Sequence, residues 1–147
     1  MIVRSMPLAH WPWLVSRANL VPDGQFRAIE AVDEASGKIL AAVGYDGWMD
    51  NACCMHVALD HPSAGRYVLR PAFRIPFVEL GLGVVVAKVV STNVRALALD
   101  KALGFKVVGV GRDWIRPGVD LVVMEMRRED CRWLLSRPKR AAKREAA

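Results

Sequence analysis

The 147 residues predict one mixed α/β domain, with a mostly antiparallel central sheet of six to seven strands flanked by helices. Three observations carry that expectation. Hydrophobic residues make up 53% of the chain, enough for one substantial core in a chain of single-domain size. Short apolar or alternating segments recur along the chain, separated by turns rich in Gly, Pro, Asn and Asp. Between them lie segments whose apolar residues repeat at helical spacing.

Ile2 to Ser5 opens as a short edge strand, and Trp11, Leu14, Val15 and Ala18 then repeat at helical spacing. Val21-Pro22-Asp23-Gly24 breaks the chain. Phe26 to Val32 and Ile39 to Tyr45 flank the turn Asp33-Glu34-Ala35-Ser36-Gly37 and read as an antiparallel hairpin. After the turn Gly47 to Asn51, Ala52 to Leu59 forms a fourth strand, with Met55, Val57 and Leu59 on one face and Cys54, His56 and Ala58 on the other.

Ser63 to Leu80 has helical character in Val68, Leu69, Ala72, Phe73 and Phe77, with Pro71 and Pro76 each removing a donor and favouring a kink. Val84 to Val90 is almost wholly apolar, which predicts a central strand covered on both faces. Asn93 caps a helix whose Ala96, Leu99 and Leu103 share a face, and Gly104 closes it in the left-handed conformation while Phe105 packs back. Lys106 to Val110 and Leu121 to Met126 follow as strands around Arg116-Pro117-Gly118, and Cys131 to Leu135 forms a short last helix.

The net charge of +6 is concentrated at one end. From Arg127 to Ala147 there are eight basic and three acidic residues, a net of +5, so the rest of the chain carries +1. Residues 1–137 therefore read as the domain and 138–147 as a basic, disordered tail. Such a tail either touches nucleic acid or aids solubility. Cys53, Cys54 and Cys131 fit neither a disulfide framework nor zinc spacing, and no metal is expected. A reducing cytoplasm fits this cysteine usage. No secretory signal or membrane-length apolar run is visible. Gly109-Val110-Gly111 lacks the third glycine and following helix of a dinucleotide site, and there is no nucleophile elbow.

The element order, together with the segment Asn93-Val94-Arg95-Ala96-Leu97-Ala98-Leu99-Asp100-Lys101-Ala102-Leu103-Gly104-Phe105 after an apolar strand, resembles the GNAT family of acyl-CoA-dependent N-acyltransferases. The run from Leu121 to Trp133 resembles compact members encoded by phages and prophages. The resemblance implies a sheet whose fourth and fifth strands splay apart to admit acetyl-CoA, or another acyl-CoA, as co-substrate. It implies cofactor contacts at Val57, Ala58 and Leu59 of the fourth strand, at Ser63, Ala64, Gly65 and Arg66 for the diphosphate, and at Asn93 and Ala96. The phosphate loop is shorter than the family's, with one glycine. Arg66, Arg70 and Arg74, four residues apart, either replace missing amide contacts or form a solvated face.

Acyl transfer to an amine needs a base. His56 is the first candidate, because an imidazole with an ordinary pKa of about 6.5 suits neutral pH, and Asp60 is the second. His56 packed in the sheet and Asp60 as a turn residue are the alternatives. Asp100 stands where many family members have a Tyr acid; an ionised Asp cannot donate unless its pKa is strongly raised, so it reads as a solvated helix residue. Tyr45, Trp48 and Trp114 are candidates for an acceptor pocket or for partial core. The expected partners are an acyl-CoA, an amine acceptor (small molecule, protein lysine or modified base), nucleic acid through the tail, and a second copy in a homodimer; no membrane is expected. The competing function is a non-catalytic binding module that keeps the fold.

Overall fold

The computed structural model describes residues 1–18 and 20–135. The basic tail and the domain boundary placed at 137 lie outside them. One sheet of seven strands organises the chain, in the order β1-β2-β3-β4-β5-β7-β6. Its strands are β1 (Ile2–Ser5), β2 (Arg27–Val32), β3 (Ile39–Asp46), β4 (Ala52–Leu59), β5 (Val84–Val90), β6 (Lys106–Arg116) and β7 (Val119–Arg127). Every pairing is antiparallel except β4 with β5.

Local chemistry explains the elements. Asp33 organises the β2–β3 turn, its carboxylate accepting from Ala35 N–H and Ser36 Oγ–H, and Gly37 takes a φ of +71°. The helix α1 (Trp11–Ala18) buries Leu14 against Phe26, Ala28, Ala42 and Ala58 on one face of the sheet. The helix α2 (Gly65–Arg74) follows a 3₁₀ turn, Pro62–Ala64, and packs Val68, Leu69, Ala72 and Phe73 on the other face, over Val43, Tyr45, Met55 and Val85. Pro71 is accommodated inside α2, which widens into a π turn at Ile75–Glu79.

The helix α3 (Val94–Leu103) begins where Asn93 Oδ1 accepts the Ala96 N–H at 3.1 Å. It ends at Gly104 with φ +113°, the left-handed stop its sequence anticipates. Phe105 joins Phe73 in the core under α2. Trp133 stacks on Phe73 and donates its Nε1–H to Leu103 O, fastening the segment after β7 to both helices.

Three expectations need correction. β5 is central but covered on one face: Val85, Ala87 and Val89 are buried, whereas Lys88 is exposed and Val84, Val86 and Val90 are half-buried. The expected last helix is instead a pair of 3₁₀ turns, Arg128–Asp130 and Arg132–Leu134. The final hairpin also extends further than its apolar residues: past an irregular stretch after Gly111, Arg116 pairs with Val119 around the Pro117-Gly118 turn, and Asp113 Oδ1 accepts the Gly118 N–H at 2.7 Å. No described helix is long and apolar enough to cross a membrane.

Candidate functional site

β4 and β5 run together over only three rungs: Ala52 with Val84, Cys53 with Val85, and Cys54 with Val86. Beyond them β4 continues to Leu59 held by β3, and β5 continues to Val90 held by β7. The facing edges of residues 55–59 and 87–90 therefore have no strand partner among the described residues. Such an edge presents backbone donors and acceptors to an extended ligand. A groove of about 350 Å³ fills the divergence. Met55, His56 and Val57 form one wall, Ala87, Lys88, Val89 and Val90 the other, and Asn93, Ala96, Leu99 and Asp100 of α3 close one end. Arg17, Ala18, Ile115 and Leu121 complete it.

His56 stands opposite Gly44 in the β3–β4 register. A β-carbon at Gly44 would lie 2.6 Å from the Phe26 ring, so that ring takes the space a side chain at 44 would need. The His56 ring reaches diagonally to Asp46, with Nε2 2.8 Å from Oδ1. A carboxylate can only accept, so the pair places the proton on Nε2 and leaves the Nδ1 lone pair as the basic nitrogen.

Asp100 is the largest departure from the sequence expectation. It is not solvated: the residue is 9% exposed and lines the groove. Burial with no compensating charge raises its carboxyl to about 6. Asn93, Ala96 and Asp100 fall at helical spacing, so the capped helix turns all three toward the opening.

The end expected to hold phosphates is already hydrogen-bonded internally. His61 Nδ1 accepts the Ser63 N–H at 3.2 Å, His61 O accepts the Ala64 N–H at 2.9 Å, and Pro62 O accepts the Gly65 N–H. Arg66 lies over the Tyr67 ring and donates to its hydroxyl. Gly65 is buried, and a β-carbon there would meet Leu69 at 3.1 Å.

Other expected site residues lie elsewhere. Asp60 pairs with Lys38 at 2.9 Å, which holds its carboxyl below the usual range, and it does not line the groove. Val57 lines the groove, Ala58 is buried beneath α1, and Leu59 packs toward α2. Tyr45 is buried under α2 with its hydroxyl donating to Ala72 O at 2.6 Å, and Trp48 sits beside it, donating to Gln25 O. Neither lines the groove. Trp114 is exposed and lies over Gly111, while its neighbour Ile115 lines the groove instead.

Asp46, Lys88 and Arg17 were not singled out from the sequence. The β3–β4 turn was legible, and counting from it would have placed Asp46 two residues from His56's rung on the same face. Cys53 and Cys54 are buried, and burial pushes the Cys53 thiol up to about 12, as expected of packing residues. Among the described residues no group of three or more His, Cys, Asp or Glu could hold a metal ion.

No protein-family model matches the sequence, and comparison with curated proteins finds no matching relative. Solved structures do match. The spermidine/spermine N-acetyltransferase SpeG from Vibrio cholerae is similar at 13% identity and a TM-score of 0.69, over 87% of this chain and 92% of that one. Ribosomal-protein-alanine N-acetyltransferase from Brucella melitensis matches at 17% identity and a TM-score of 0.66, over 86% of this chain and 99% of that one. A candidate phosphinothricin N-acetyltransferase matches at 17% identity and a TM-score of 0.67, over 86% and 97% of the two chains. With its single sheet, one parallel pairing and divergent central strands, the chain has the GNAT fold of N-acetyltransferases.

Proposed function

We propose that the protein is an acyl-CoA-dependent N-acyltransferase that passes an acyl group, with acetyl the first candidate, directly to an amine. The single observation that carries this is the three-rung pairing of β4 and β5, followed by a groove lined by unpaired strand edges, His56 and Asp100. A pantetheine arm is an extended chain with amide groups, and the free edge of β4 at Val57 to Leu59 offers it strand-like hydrogen bonds. Asn93 and Ala96 border the same space.

His56 Nδ1 takes a proton from the acceptor ammonium. The neutral nitrogen attacks the thioester carbonyl, and an amide N–H of β4 stabilises the resulting oxyanion. As the intermediate collapses, the nitrogen gives its second proton to solvent, the C–S bond breaks and the thiolate takes a proton from Asp100; His56 then returns its proton to solvent and Asp100 regains one from it. Each turnover releases one proton net. The raised carboxyl of Asp100 supplies the acid that an exposed Asp could not.

The acceptor class is narrowed by charge. The SpeG structures are named for polyamines, but Arg17 and Lys88 border this groove. Two cations against one lining carboxylate, Asp100, leave the groove net positive and oppose a polycation, which favours a monoamine acceptor over a polyamine. Mass spectrometry of the purified protein for retained CoA species, followed by an amine panel with thiol release as readout, tests the assignment. Acetyl transfer to monoamines with spermidine among the poorest acceptors supports it; absence of transfer to any amine counts against it.

One observation favours a second reading, a binding module without turnover. The amides of Ser63, Ala64 and Gly65 are committed to His61 and Pro62, so a diphosphate must displace them. Binding of acetyl-CoA with no thiol release over a full acceptor panel would favour the module.

A further inference from the structure

A second cavity lies apart from the groove. An opening of about 480 Å³ lies between the β1–β2 edge and the C-terminal half of α2, and it shares no lining residue with the groove. Arg4, Arg27, Arg70 and Arg74 surround it, against a single lining carboxylate, Glu79. We propose that this cavity is a second binding site, for a small multivalent oxyanion: a phosphate ester or a di- or tricarboxylate with a short apolar body.

The charge count is the first argument. Arg4 is neutralised by the fully buried Glu30, with Nε 2.8 Å from Oε1. Arg70 donates to the carbonyl oxygens of Trp133 and Leu135, neutral acceptors that leave its charge uncancelled. Arg27, Arg74 and Glu79 form no ion pair among the described residues. Three guanidiniums against one carboxylate leave two positive charges around one opening. Arg70 and Arg74 are also one turn apart on α2, where like charges destabilise a helix unless an anion bridges them.

The second argument is geometric. Arg27 begins β2 and the other two arginines stand on α2, so the fork-shaped donors rise from rigid elements rather than from a loop. Planar guanidiniums match carboxylate and phosphate oxygens bidentately. Val3, Ile29 and Ile75 supply apolar walls, and the Tyr45 hydroxyl is spent on Ala72 O, leaving its ring as floor. The volume suits a metabolite rather than a single ion.

Calorimetry at low ionic strength with inorganic pyrophosphate and, separately, citrate tests the proposal and distinguishes the two oxyanion types. At least one should bind, weaken as salt rises, and lose about tenfold in affinity in each of Arg27→Gln and Arg74→Gln. Both residues are exposed, so folding of the variants is checked by their unchanged melting. Asp100→Asn, which alters the groove, should leave the affinity unchanged. No binding of either probe up to about 10 mM, a regime weaker than about −3 kcal/mol, overturns the proposal. Binding that ignores both arginine substitutions, or that acetyl-CoA competes away, overturns it as well.

Discussion

His56 Nε2 lies 2.8 Å from Asp46 Oδ1, two residues along β3 from the Gly44 that shares its rung, and this contact places the imidazole proton on Nε2. Replacing His56 with Gln should lower kcat by about 10² to 10⁴, the range of one general base, with the KM for acetyl-CoA little changed. Asp46→Asn should cost about tenfold, because the ring remains but its tautomer is no longer imposed. Steady-state kinetics on thiol release separates the two effects. Equal, small losses for both variants would make the pair structural.

The acid role proposed for Asp100 sets stability against function. Its carboxyl is raised from 3.8 to about 6 by burial. Below the ordinary carboxylate range both folded and unfolded chains are protonated there and no penalty arises. From the ordinary carboxylate range up to about 6 the unfolded chain ionises while the desolvated folded carboxyl holds its proton, so stability falls across that window and levels off above it. Asp100→Asn should therefore be more stable than the parent at pH 8 by about 1–3 kcal/mol, a gain that shrinks to a small fraction at pH 4. Its acyl transfer should fall at the same time. Urea titrations at pH 4, 6 and 8 check the first part, and an unchanged or lowered stability at pH 8 would show that Asp100 is solvated after all.

Much of the fold was legible because local chemistry and tertiary packing agree. Asn93 and Gly104 bound α3 where their capping chemistry places them, and the alternation in β4 puts Met55 and Ala58 on opposite faces. The site was less legible, because its residues depend on what lies across a strand. Tyr45 shares a rung with Met55 and so faces α2, whereas Asp46, one residue on, faces His56. A register shift between Gly111 and Arg116 brings Ile115 rather than Trp114 to the groove. Asp100 was misjudged for another reason: polarity argued for water, while its spacing from Asn93 and Ala96 had already placed it on their face.

Glu30 is fully buried, held by Arg4 Nε and His10 Nδ1, each at 2.8 Å. Arg4→Ala removes one of two partners of a carboxylate that water cannot reach. Because Arg4 is half exposed, the expected cost is about 1–3 kcal/mol, below that of a fully buried pair. Chemical denaturation at pH 7 reads it. A change within about 0.5 kcal/mol, typical of an ordinary surface site, would mean that Glu30 is satisfied without Arg4.

The groove between β4 and β5 is most directly tested by calorimetry with acetyl-CoA on the parent and on Ala96→Trp, which fills the opening from a half-buried position on α3. Binding at about micromolar Kd, lost by at least tenfold in a variant that melts as the parent does, is the expected result. No detectable binding to the parent, or binding indifferent to the added indole, would contradict an acyl-CoA site between the diverging strands.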